Sequence, residues 1–179
     1  MKATLEVVQG NVVDVDADVI VVSANTHLDF EGAAARALEP ICGKEAQERF
    51  APLRFNTEVG DIIQTTAGSH PHATWVAWAV VRDYRRGGPS PRVGLKANIS
   101  LIWKTALAIA GSVDRPDGRR RRIAMIPLNA QDIGLETSAT LLQAAFAAAV
   151  GRLEIDAWLI SPLEAEVATM RDAISGPVV

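Results

Sequence analysis

The sequence predicts an α/β fold in which helices cover a largely buried sheet. Three observations carry this reading. Strand-like and helix-like segments alternate through the whole length of 179 residues. One strand-like run, Val19–Val22, is apolar at consecutive positions, as a strand buried on both faces requires. Hydrophobic residues make up 49% of the chain, enough for a packed globule.

The elements follow in order. A strand pattern opens at Thr4–Gln9, and Val19–Val22 then runs into the small-small-amide turn Ser23-Ala24-Asn25. Gly32 precedes an alanine-rich helix, and strands are expected at Ile62–Thr66 and Trp75–Val81. Leu95, Ile99, Ile102, Trp103, Ala106 and Ile109 share one helical face in a helix over Leu95–Ala110. A strand at Ile123–Leu128 leads to a helix over Thr137–Val150, with Leu141, Leu142, Ala145, Phe146 and Ala149 inward. The last strand is Ala157–Ile160. A helix then opens with Ser161-Pro-Leu-Glu164, in which serine caps, proline takes the first turn and glutamate reaches back. Val167, Met170 and Ile174 mark its inner face. Trp75, Trp78, Trp103 and Trp158 fall within elements and are read as core. The glycine- and proline-bearing stretches 82–91 and 113–122 read as surface connections, the second ending in a solvated arginine run, Arg119 to Arg122. Neither is long enough to separate domains, so a single domain over 1–179 is expected.

Composition narrows the function classes. A net charge of −3 gives no electrostatic case for nucleic acid. Cys42 is the one cysteine, which excludes an intramolecular disulfide or a cysteine cluster for zinc and fits a reducing, cytoplasmic setting. It stands at a helix end with no base adjacent in sequence and is read as structural. The N-terminus enters a strand pattern at once, without the apolar core of a signal peptide, and no run approaches the ~18 apolar residues of a membrane span. His27, His70 and His72 are the histidines, and His70-Pro-His72 reads as a solvated pair in a turn rather than as metal ligands. No Gly-x-Ser-x-Gly elbow or phosphate-loop lysine appears, and neither metal nor cofactor is expected.

Two strand exits have the character of a binding site. In open α/β sheets, ligands sit outside the carboxyl ends of strands. Asn25 either caps its own turn or presents its amide there. The helix start after Gly32 offers backbone N–H groups and a positive dipole end to an anion such as a diphosphate. Asp29 and Glu31 either cap that helix or hold a carboxylate for proton transfer. The exit Asn129-Ala-Gln-Asp-Ile-Gly134 is a second polar loop before a helix, with Gly134 free for a conformation bulky residues resist.

The order of these segments resembles the macrodomain family, the ADP-ribose-binding α/β/α fold, over nearly the whole chain. Gln9-Gly-Asn-Val through Val-Ile-Val-Val-Ser-Ala-Asn25 looks like the family's opening turn, strand and asparagine exit. Val59-Gly-Asp-Ile-Ile-Gln-Thr-Thr-Ala-Gly68 with His72-Ala-Thr-Trp-Val-Ala-Trp78 looks like its central strand pair, and Ile126-Pro-Leu-Asn-Ala-Gln-Asp-Ile-Gly134 like its phosphate loop. The resemblance implies a three-layer α/β/α sandwich with a mixed sheet. It also implies ADP-ribose or a related nucleotide held by Gly10, Asn11, Val12, Asn25, Gly32, Asn129, Ala130, Gln131, Asp132, Ile133 and Gly134. An ADP-ribosylated protein would be the macromolecular partner. If the domain is catalytic, the resemblance implies hydrolysis of an ADP-ribosyl or O-acetyl-ADP-ribose ester linkage, with Glu31 or Asp29 activating water and Asn25 positioning it. The chain departs from the family's pattern in four places, one of them Glu31-Gly32, which falls where hydrolytic members often carry Asp-Gly. Asn11 stands where the family has the adenine-binding aspartate, and the loop after Asn25 is shortened and lacks its glycine run. Asn-Ala-Gln-Asp replaces a small-residue loop. These departures fit the alternative of a non-catalytic, divergent binding module or scaffold that recognises a different nucleotide-like ligand or a protein partner.

Overall fold

A computed structural model describes residues 3–54, 56–84, 95–115, 117–128, 133–150 and 152–175. The elements are β1 (Thr4–Gln9), β2 (Val19–Asn25), α1 (Ala33–Phe50), β3 (Ile62–Thr66), β4 (Trp75–Arg82), α2 (Leu95–Ser112), β5 (Arg121–Met125), α3 (Leu135–Ala149), β6 (Ile155–Ser161) and α4 (Glu164–Ser175). They build a six-stranded mixed sheet in the order β1-β6-β5-β2-β4-β3. Every neighbouring pair is parallel except β3 with β4, which run antiparallel.

Strand alternation explains why Val19–Val22 is apolar throughout. Val19 and Val21 enter the cluster under α2, α3 and α4, whereas Ile20, Val22 and Ala24 enter the one under α1. The sheet is thus sandwiched between helical layers. Trp78 and Trp103 are fully buried, and each ties its indole N–H within its layer, Trp78 to Thr65 Oγ1 at 2.9 Å and Trp103 to the Ser138 carbonyl at 3.3 Å. Trp75 and Trp158 are only half-buried, so the core assignment holds for two of the four tryptophans.

Several ends differ from the sequence expectation. β2 continues to Asn25 because Ser23 and Ala24 pair with Ala79 and Val80 of β4, with a register shift at Ala24/Asn25. β5 begins at Arg121 and stops at Met125, before Pro127, which has no N–H for a ladder. The arginine run leads into this strand, and Arg119 stays exposed while the other three are engaged. Arg121 and Arg122 are strand residues, Arg120 pairs with Asp156 at 2.9 Å, and Arg122 pairs with Asp16 and lies 5.5 Å over the Trp158 ring. Nearby, Asp18 is buried, pairs with Arg115 and accepts the Arg122 N–H at 2.7 Å.

The turn joining β3 to β4 corrects the reading of His70 as solvated. His70 is buried, and its Nδ1 accepts the N–H groups of His72 at 3.2 Å and Ala73 at 3.0 Å. That fixes the proton on Nε2, which faces the Val12 carbonyl at 3.4 Å. His70 thus ties the turn to the loop after β1. Burial holds its pKa below the ordinary 6.5, with His72 adding to the effect. The native state therefore binds fewer protons than the unfolded chain, so stability from this group is present above pH 6.5 and is lost as pH falls below it. Urea titrations of the wild type below pH 6.5 are expected to show a falling midpoint, a part of which disappears in His70→Gln. An identical slope in both proteins would remove His70 as its source.

Candidate functional site

A cleft of about 350 Å³ opens at the carboxyl ends of the parallel strands. Its walls come from five places: Gly10 to Val12 after β1, Ser23 in β2, Gly32 to Ala35 with Ala37 at the start of α1, Ile126-Pro127 after β5, and Ile160 to Leu163 with Glu166 where β6 passes into α4. The volume lies within the ~300–1,000 Å³ usual for small-molecule sites. The pairing of β1 with β6 brings the first and last of these walls together, and the Gly10 N–H donates to the Ser161 carbonyl at 3.0 Å.

The α1 wall is made for close backbone approach. Gly32 is its N-cap at φ 94°, a conformation that side chains resist, and no side chain caps the helix. The first intrahelical bond runs from the Arg36 N–H to the Gly32 carbonyl at 3.0 Å, so the amides of Ala33 to Ala35 have no partner within the helix. Such amides and the helix dipole attract negative charge. Alanine side chains leave room for a ligand to reach them. The opposite wall carries Glu166, the one ionisable side chain among the described lining residues, whose Oε2 accepts the Ser161 hydroxyl at 2.5 Å.

Beside the cleft, the exit of β2 gathers an amide and two carboxylates. Asn25 is 2% exposed, and its Nδ2 donates to Asp29 Oδ1 at 2.7 Å and to Glu31 Oε2 at 3.1 Å. Its Oδ1 accepts the His27 N–H at 2.9 Å. The loop that returns the carboxylates to Asn25 is anchored throughout. Thr26 is buried and bonded to Asp83 at 3.1 Å, Leu28 is fully buried at φ 53°, and Phe30 packs its ring 5.5 Å from Trp78 and 6.0 Å from Phe50.

No family model matches this sequence, and no curated protein does. Solved structures do. The macrodomain of Oceanobacillus iheyensis with MES bound superposes with a TM-score of 0.79 at 15% identity, covering 97% of this chain and 92% of that one. The chain has the macrodomain fold. A Trypanosoma brucei macrodomain in complex with ADP gives a TM-score of 0.71 at 19% identity over 95% of this chain and 68% of that one. The macrodomain of Thermus aquaticus DarG gives 0.65 at 19% identity over 89% and 99%.

Against this macrodomain fold the expected site residues divide into three groups. Gly10, Asn11, Val12 and Gly32 line the cleft. Asn25, Asp29 and Glu31 form the rim cluster outside its lining, and Asp29 and Glu31 face a separate polar recess with Arg36, Glu39 and Arg54. The capping role for these two carboxylates does not hold, since α1 has no side-chain cap and both bond Asn25. The third group stands apart. Ile133 is packed in the core under α2 and α3, and Gly134 is the N-cap of α3 with an ordinary φ of −64°. Asn129, Ala130, Gln131 and Asp132 lie outside the described residues.

Sequence reasoning missed the wall from Ile160 to Glu166. Ser161 acts as the expected cap in that its hydroxyl accepts the Leu163 N–H at 3.1 Å, but the glutamate it meets is Glu166 rather than Glu164. The signal that could have found this wall was the polar exit of a third strand. Cys42 lies in the middle of α1, since the helix continues through Pro40 to Phe50, and not at a helix end as expected. It is buried, and burial, with Glu45 nearby, pushes its thiol up to about 11. Among the described residues no cluster of three or more histidine, cysteine or acidic side chains could hold a metal, and no helix is long and apolar enough to cross a membrane.

Proposed function

We propose that the cleft binds ADP-ribose or a related nucleotide, with the diphosphate on the uncapped N-terminus of α1. The observation that carries this reading is the meeting of Gly32, at φ 94°, with the free first-turn amides of an alanine-lined helix inside a cleft of about 350 Å³. Structures with the same fold supply its chemistry, since a mutant of the Oceanobacillus macrodomain was solved with ADPR and the Trypanosoma macrodomain with ADP. Asn11 takes the base end in this reading. It is exposed at the cleft wall, and its Oδ1 already accepts the Val13 N–H at 3.4 Å. The resemblance also assigns Asn129 to Asp132, which lie outside the described residues, to the phosphate side. Calorimetric titration with ADP-ribose, AMP and ADP tests the proposal. Micromolar binding that prefers ADP-ribose is expected, and no heat from any of the three would overturn it.

The same reading extends to hydrolysis of an ADP-ribosyl or O-acetyl-ADP-ribose ester, on an ADP-ribosylated protein or a small ester. Glu31 or Asp29 accepts a proton from the attacking water, beside the end of the cleft where Gly32 begins α1. Glu31→Gln is expected to abolish turnover while ADP-ribose affinity stays within about twofold, because the amide keeps the shape and loses the base. An unchanged rate would remove Glu31 from the mechanism. One observation favours a second reading, binding without turnover: neither carboxylate lines the cleft itself. A wild type that binds ADP-ribose and cleaves no ester or ADP-ribosylated protein would establish that second reading.

A further inference from the structure

The carboxamide of Asn25 is almost fully engaged inside the protein. A side-chain amide offers two N–H donors and two acceptor lone pairs. Nδ2 serves Asp29 at 2.7 Å and Glu31 at 3.1 Å, Oδ1 serves the His27 N–H at 2.9 Å, and the residue is 2% exposed. No donor remains for a ligand. The backbone is shaped to produce this arrangement. The register shift at Ala24/Asn25 re-aims the side chain, and Leu28 at φ 53°, fully buried, reverses the chain so that residues four and six positions on return to one nitrogen. Two carboxylates are thereby held side by side against their mutual repulsion.

We propose that Asn25 is a positioning residue that brackets Asp29 and Glu31 into a fixed rim pair and makes no contact of its own with the ligand. The functional arm of this proposal rests on the ADP-ribose reading above; the bracket does not. Because residues 26–31 lead straight into Gly32, an opened bracket displaces the start of α1 and with it the cleft wall.

Reversal of hydrogen-bond polarity tests the bracket. In N25D three carboxylates converge, so amide exchange across His27 to Glu31 should accelerate and ADP-ribose affinity should fall roughly tenfold or more. In N25D/D29N/E31Q the new carboxylate at position 25 accepts from new amides at 29 and 31 and still accepts the His27 N–H. The reference is D29N/E31Q, in which the native amide at 25 donates to two amide oxygens. The triple variant is expected to match that reference in loop exchange and, within about threefold, in ADP-ribose affinity. A triple variant with a protected loop and N25D-like weak binding would mean that Asn25 donates to the ligand, which overturns the proposal. Unaltered loop exchange in N25D would overturn the bracket. Should N25D fail to fold, the comparison of the triple with the double variant decides alone. If the wild type itself gives no heat with ADP-ribose, the nucleotide reading falls and the exchange data still judge the bracket.

Discussion

Gly68→Ala is expected to cost about 2–5 kcal/mol of folding stability, from a left-handed backbone worth ~1–2 and overpacking worth ~1–3. Gly68 has φ 57°, and a Cβ there would sit 2.3 Å from the Ile41 carbonyl oxygen and 2.9 Å from the Cys42 Cα. Both atoms are backbone of α1, so no flexible side chain can move aside. The turn is also fastened at this spot, with the Ser69 N–H 3.1 Å from the same Ile41 carbonyl. Relief would have to come from the whole turn, including His70 and its bond to the Val12 carbonyl. Gly118→Ala is the control, since Gly118 has φ 68° with nothing within 4 Å, and only the backbone part of the cost, about 1–2 kcal/mol, applies. Urea unfolding of the two variants reads the difference. Equal losses would show that the approach to α1 carries no weight.

Phe30→Ala is expected to lose about 2–4 kcal/mol and, with it, the order of the rim. Phe30 is half-buried, and its ring stands edge-on to Trp78 at 5.5 Å, with Phe50 at 6.0 Å and Gly43 of α1 beneath. Phe50 and Trp78 also pack edge-on at 5.3 Å, so three rings close one aromatic cluster on the α1 side of the sheet. Phe30 is the member contributed by the loop. It stands between Asp29 and Glu31, and its seating fixes where both carboxylates project. Thermal unfolding measures the packing loss, and amide exchange over residues 26–32 measures the loop. A variant that loses stability while the loop stays protected would assign the loop's order to Thr26 and Leu28 instead. Phe30→Leu, which keeps much of the apolar volume, should fall between the two proteins.

The elements were legible because their signals are local. The consecutive apolar residues of Val19–Val22 and the helical spacing from Leu95 to Ile109 each depend on residues within one strand or one helix. What the sequence did not show was adjacency. The order β1-β6-β5-β2-β4-β3 places Gly10 beside Ser161, residues from opposite ends of the chain, and no local pattern encodes that. The cleft wall from Ile160 to Glu166 was missed for this reason. The burial of His70 escaped for a related one, since its partners are a carbonyl 58 residues away and two N–H groups of its own turn. Local rules also misled where tertiary contacts overrode them. Asp29 and Glu31 have the composition and position of helix caps, yet Asn25 offers a buried donor that the helix start does not. Four arginines in a row suggest solvent until Asp16, Asp156 and Trp158 are brought against them by strand pairing.

The arginine and aspartate pairs all stand at the amino ends of the parallel strands, with Asp18 entering β2, Arg120 to Arg122 entering β5 and Asp156 entering β6. The cleft lies at the other end of those same strands, a separation of about 15–20 Å at the usual rise per residue. Changes so far apart combine additively where they share no partner, as Arg120 and Asp156 share none with the cleft, whereas Asp16 also pairs with His72 and stands four residues from the cleft residue Val12. Apart from that link, the two ends of these strands are free to diverge on separate schedules. A lineage could redraw its ion pairs to suit a new temperature or salinity without retuning what it recognises, or change its ligand without renegotiating its fold.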